Sequence, residues 1–214
     1  MNRSELKANA KLQIKGKIGI LFLITVIIAV VSAVASAILS LIPVVGSLAS
    51  AVIVTPAFSL SMARVYIMVV KGNNPEAKDA FCGFDDFFSA FKVTLLVGVF
   101  TFLWSLLFVI PGIVKSIAYS MSMYILAENK GKSARECIKE SIAMTNGHKG
   151  ELFVLSLSFI GWILLGSITL GIAYIWVAPY MQATFVNAYN SLKPAATVEA
   201  APVEEAPAAE TTAE

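Results

Sequence analysis

Lys115, Ser116 and Ser120 are the residues whose types and spacing come nearest to covalent chemistry in this chain. A lysine desolvated in an apolar segment loses its proton more readily and can then activate a serine nucleophile. The spacing argues against this pairing. On a helix Ser116 points about 100° away from Lys115, and Ser120, five residues on, is little better placed. Two other readings of Lys115 stand beside the catalytic one: a side chain that snorkels to the outer headgroups, and a binding group in a cavity open to the outside.

Gln182 is the second candidate. It falls near the middle of an apolar segment, one turn after Pro179, with Thr184 close by. A buried amide in a membrane helix bonds to a neighbouring helix or lines a solute or ion pathway. Arg64 is the third. It lies about two turns before Lys71, a distance from which its head can snorkel to the inner interface.

Other chemistries lack their residues. The single histidine, His148 in G-H-K-G, has no H-E-x-x-H around it, and Cys82 and Cys137 have no ligand neighbours at metal spacing, so no metal is expected. No carboxylate falls within an apolar segment, which removes intramembrane aspartyl proteolysis. No P-loop, G-x-S-x-G or dinucleotide glycine pattern is present. No catalytic residue, no enzyme activity and no cofactor are expected, and no basic patch with interleaved aromatics suggests nucleic acid.

The elements that hold these residues are apolar. Of 214 residues 57% are hydrophobic and 14% charged, against about a quarter charged in soluble domains, which points to a polytopic membrane protein. With about 20 residues per crossing, the spacing predicts six: Ile18–Leu41, Ser47–Val70 with Pro56, Val93–Ile110, Ile113–Ala127 after a Pro111-Gly112 turn, Glu151–Leu170, and Gly171–Leu192 with Pro179. Ser32, Ser36 and Ser40, and Ala29, Ala33 and Ala37, form stripes that allow close helix approach. Ala33-Val34-Ala35-Ser36-Ala37 also offers signal-peptidase sites, but the apolar run continues past them, so a retained helix is expected.

Polar segments punctuate the crossings. Residues 1–17 carry five basic residues, with Leu6, Ala10 and Ile14 opposite them, and read as a helix on an anionic membrane surface or as a basic stop. After an Asn74-Pro75 helix start, Phe81, Phe84, Phe88 and Phe91 share one face. That face predicts an interfacial helix in the acyl boundary, or a core helix on the soluble side. Ser133-Ala134-Arg135-Glu136 is a capping box. It opens a helix with Ala134, Cys137, Ile138, Ser141, Ile142 and Thr145 on one face, ending at Asn146-Gly147. An amphipathic segment thus precedes each of three hairpins, a weak internal repeat.

Fifteen of the sixteen basic residues lie on one side if six crossings leave both termini cytoplasmic; Lys115 is the exception. The fold class expected is therefore all-α: a six-helix membrane domain over residues 1–192 in the cell membrane, as three hairpins with cytoplasmic amphipathic helices. Residues 193–214 hold five of the chain's glutamates and no aromatic residue, and are expected to be a disordered tail.

Four stretches carry a family resemblance: F-V-I-P-G-I-V-K-S-I-A-Y-S-M-S-M-Y-I-L-A-E-N, E-S-I-A-M-T-N-G-H-K-G-E-L-F, L-S-F-I-G-W-I-L-L and W-V-A-P-Y-M-Q-A-T. They resemble the domain-of-unknown-function 975 family of bacterial integral membrane proteins. That family is similar in turn to the membrane domain attached to some glycerophosphodiester phosphodiesterases. The resemblance covers residues 1–192 and implies a multi-pass protein with no assigned catalytic residues. Two functions are expected: organising, sensing or assisting protein partners at the inner membrane surface, or, alternatively, passing a small solute as a transporter or channel. The lipid bilayer is the partner in both, and the sequence sets no oligomeric state. A polar cavity among the crossings would favour the second.

Overall fold

The computed structural model describes residues 2–39, 45–107, 109–169, 171 and 173–193. The predicted tail beyond Lys193 and most of the turn at 42–46 lie outside these residues. The described chain is helical, with no strand. Among the described residues four stretches are long and apolar enough to cross a membrane: 18–37, 77–106, 110–128 and 149–168. Six were expected. Residues 54–70 form a shorter apolar stretch, and the last helix mixes Gln182, Asn187 and Asn190 into its apolar residues.

Helix α1 (Arg3–Ile14) is capped by Asn2, whose Oδ1 accepts from the Ser4 backbone N–H at 3.2 Å. Its stripe of Leu6, Ala10 and Ile14 is buried, and α1 packs along α10 (Tyr174–Leu192). Protein therefore covers the stripe that the sequence reading laid on lipid. The docking is polar as well: the Asn187 amide donates to Gln13 Oε1 at 2.7 Å. Lys17 Nζ donates to the carbonyls of Gly72 and Asn73 at 2.9 and 2.7 Å, meeting the orphan acceptors beyond the end of α3.

Helices α2 (Ile18–Leu39) and α3 (Val45–Val70) pack on each other, with Pro56 inside α3. The Asn74-Pro75 start is two residues early. The first helical turn begins at Ala77, where the Glu76 backbone N–H donates to Asp79 Oδ2 at 2.7 Å. The phenylalanine segment is not one α-helix. It is two 3-10 turns, Ala77–Phe81 and Phe84–Asp86, leading into α4 (Phe87–Leu107). Phe81 and Phe84 close a triad with Phe58 of α3, at centroid distances of 6.2, 5.3 and 6.2 Å. Phe91 stacks on Phe87, and Phe88 stays 74% exposed.

Helix α5 (Val109–Tyr119) packs on α4 and takes Pro111 and Gly112 into its first turns. Proline is tolerated there because first-turn N–H groups have no helical acceptor. Gly112 serves the packing: an added Cβ would come within 3.0 Å of Ser105 Cα. Pro111 and Gly112, predicted as the turn between crossings, therefore lie inside a helix.

Two expected single helices are broken. One divides at Ser120-Met121 into α5 and α6 (Ser122–Glu128). The other divides at Ser158-Phe159 into α8 (Lys149–Leu157) and α9 (Ile160–Ile168). Helix α7 (Ala134–Thr145) has the predicted capping box and buries Ala134, Cys137, Ile138, Ser141 and Thr145 of its predicted face. It repairs the first break. Ser141 Oγ donates to the Ala118 carbonyl at 2.7 Å and accepts from the Met121 N–H at 3.2 Å. Backbone groups freed inside an apolar layer need such partners.

Candidate functional site

The residues of the site come from four helices. Gln182 sits on α10 and Tyr124 on α6, and the tyrosine O–H donates to Gln182 Oε1 at 3.2 Å. Together they form one wall of a cavity of about 650 Å³ between α2, α3, α6 and α10. Ser32 and Ser36 of α2, Thr55 and Ser59 of α3, and Ser120 at the α5–α6 break supply further hydroxyls, while Ile28, Phe58 and Met62 supply apolar wall. None of the described residues lining it is charged. Such a lining holds hydrogen-bonding neutral groups well. It lacks the fixed counter-charge that a desolvated ion needs.

Thr184, placed near Gln182 by sequence, is fully buried and donates to the Tyr180 carbonyl at 2.8 Å, outside the cavity wall. Ser120 Oγ donates to the Ile117 carbonyl at 2.8 Å and Ser116 Oγ to that of Ile113 at 2.8 Å, so neither serine bonds to Lys115. Lys115 Nζ instead stands over the Trp104 indole, 4.6 Å from the ring centroid, a cation–π contact. The structure does not bring Lys115 to Gln182 or to the cavity that Gln182 lines.

Arg64 differs most from its sequence reading. It is buried at 7% exposure instead of snorkelling. Its Nη1 donates to the Cys82 carbonyl, and its Nη2 lies 3.8 Å from Asp86 Oδ2. The 77–86 segment folds back onto α3 and supplies acceptors closer than the interface. Asp86 Oδ2 also accepts from the Gly131 N–H at 2.9 Å, so one buried arginine links α3 to two polar connections. Arg64 is thus a structural anchor, away from the cavity.

One family model matches, that of a protein of unknown function (DUF975), over residues 1–117 and 106–196. The chain belongs to this family. No curated protein and no solved structure matches it.

In this DUF975 chain Cys137 is buried and His148 is paired. Burial pushes the Cys137 thiol up to about 11, far from the thiolate range. His148 Nδ1 contacts Glu151 Oε2 at 2.9 Å, one turn along α8. Sequence reading named Gln182 but missed Tyr124, and it read Ser32 and Ser36 as packing residues. Their four-residue spacing was a usable signal, since it puts both hydroxyls on one helix face. Nothing local marked Tyr124 as the partner of a residue 58 positions away.

Proposed function

We propose that this DUF975 protein is a cell-membrane protein of six crossings in three hairpins, with both termini cytoplasmic, and that it binds and passes a small uncharged polar solute. The observation that carries the solute reading is the polar, uncharged cavity closed on one wall by the Tyr124–Gln182 hydrogen bond. On this proposal the protein has a non-enzymatic role. The competing role, organising partners at the inner surface, needs amphipathic faces that are free. Those of α1 and α7 are engaged within the bundle.

Three sets of contacts support the hairpin topology. Glu128 at the end of α6 pairs with Lys71 after α3 at 2.9 Å and with Lys193 after α10, and it accepts from the Tyr189 hydroxyl at 2.8 Å. The ends of crossings two, four and six therefore meet. Lys17 before α2 meets Gly72 after α3, and Asp86 before α4 meets Gly131 after α6. With the basic residues of these segments, that end is the cytoplasmic one.

Topology is tested by single cysteines in a background lacking Cys82 and Cys137. Cysteines at Val45, Ile110 and Ala173 are expected to react with an impermeant thiol reagent on intact cells; those at Asn73, Lys130 and Thr197 only after lysis. Labelling of Lys130→Cys from outside would overturn the arrangement. Silence at Ile110→Cys alone would make α4–α5 a hairpin that turns back within the bilayer.

Function is tested in proteoliposomes by following entry of glycerol, urea and small amides alongside potassium and chloride. Neutral solutes are expected to enter faster than into protein-free vesicles, and the ions are not. In Gln182→Leu the Tyr124 hydroxyl loses its acceptor. The variant also removes an amide from the cavity wall, so the entry rate is expected to fall about tenfold, while thermal stability in detergent falls by no more than the ~1–3 kcal/mol that an unmet buried hydroxyl costs. Entry at the protein-free rate for every neutral solute would remove this reading.

A further inference from the structure

A second cavity, of about 420 Å³, opens between α4, α5 and α7. Its apolar wall is Leu96 and Phe100 of α4 with Ile138 and Ile142 of α7, and its cationic rim is Arg135 and Lys139. The two cations stand four residues apart on α7, which places them side by side on one helix face. Like charges so placed repel, unless an anion lies between them. The acids beside them are engaged elsewhere: Glu136 closes the cap on the Ser133 N–H, and Glu140 pairs with Lys132. Among the described residues neither Arg135 nor Lys139 has a carboxylate within ion-pair distance.

The wall beneath the rim decides what kind of anion fits. Leu96 and Phe100 belong to the stretch 77–106, which is long and apolar enough to cross a membrane. Trp104, also lining the cavity, is 37% exposed on the same helix. Hydrocarbon continues directly from a doubly cationic rim, and the volume falls in the range of small-molecule sites, about 300–1,000 Å³. A free inorganic anion would satisfy the rim and leave the wall bare. An anion carrying an acyl chain satisfies both.

We propose that this cavity is a binding site for an anionic phospholipid, its phosphate held between Arg135 and Lys139 and the first part of an acyl chain laid along Leu96 and Phe100. Arginine presents a planar fork to phosphate oxygens, and lysine adds a point charge. The site lies apart from the Gln182 cavity and does not depend on the solute reading.

The test uses the full chain in nanodiscs of phosphatidylcholine with increasing phosphatidylglycerol. Thermal stability is expected to rise saturably with phosphatidylglycerol and to respond little to inorganic phosphate. Each basic side chain near a membrane surface contributes roughly fivefold in affinity for anionic lipid. Arg135→Ala/Lys139→Ala is therefore expected to weaken the phosphatidylglycerol dependence about 25-fold while keeping the stability seen in pure phosphatidylcholine. A second measurement needs no variant at the site. In a Trp162→Phe/Trp176→Phe background, phosphatidylglycerol brominated on its acyl chain is expected to quench Trp104 more strongly than brominated phosphatidylcholine at equal mole fraction. Equal quenching by the two lipids overturns the proposal. So does equal stabilisation by inorganic phosphate, which would mark a free-anion site, and so does an undiminished lipid response in the double variant.

Discussion

Gly83→Val is expected to yield almost no folded protein. Gly83 has an ordinary negative φ of −78°, so its backbone conformation admits any residue. The constraint is the surface it rests on. Its N–H donates to Ser61 Oγ at 2.9 Å, and a Cβ built there would stand 2.7 Å from Ser61 N and Oγ and closer still to the Ala57 carbonyl oxygen. Those are mostly backbone atoms of α3, which have no rotamer to yield. Ordinary overpacking costs about 1–3 kcal/mol because side chains give way; here the whole 77–86 segment must lift off, taking the Phe58–Phe81–Phe84 triad and the Arg64 contacts with it. Size-exclusion profiles in mild detergent check this, with wild-type monodispersity in Gly83→Val as the result that would refute it. Gly83→Ala should show the same defect in milder form.

Arg64→Ala is the second large effect. Removing the guanidinium strips the Cys82 carbonyl of its donor and leaves Asp86 with less counter-charge in a mostly covered site. Breaking one half of a buried pair costs about 3–5 kcal/mol, and the midpoint of thermal unfolding in detergent should fall accordingly. Arg64→Lys is expected to recover only part of this, because one ammonium lacks the fork that addresses Cys82 and Asp86 together. Protease access between Gly72 and Asp79 should rise in step. An arginine that merely reached for headgroups would make both substitutions nearly silent, so the pair of variants separates a structural anchor from an interfacial charge.

The contrast between Arg64 and the α7 helix explains how far the sequence could be read. The α7 boundaries and buried face were legible because the signals are local: Ser133 and Glu136 three residues apart, an apolar stripe at helical period, and a glycine at Gly147 whose φ of 81° ends the run. Arg64 was misplaced because its partners, Cys82 and Asp86, come from a segment whose fold-back depends on Gly83 fitting against α3. The same holds for the helix breaks. An apolar run through Ser120 reads as continuous, since the hydroxyls that make the break tolerable belong to Ser141 and Thr145 on another helix. Within the candidate site Gln182 was found from its own polarity, whereas Tyr124 was not, because an aromatic in a membrane segment has many ordinary uses. The number of crossings sits between these cases: among the described residues apolar length marks four stretches clearly, while Gln182, Asn187 and Asn190 dilute the signal in the last helix.

The seat of α1 on α10 sets an order of events during synthesis. Gln13 and Asn187, joined by a hydrogen bond, are 174 positions apart, so a ribosome finishes the first helix long before its docking partner exists. Throughout that interval Leu6, Ala10 and Ile14 can pack only on the earlier helices α2 and α3, with the α10 side of the stripe still uncovered. Closure by the last helix to emerge makes this fold one that is latched only when translation of the membrane domain is complete.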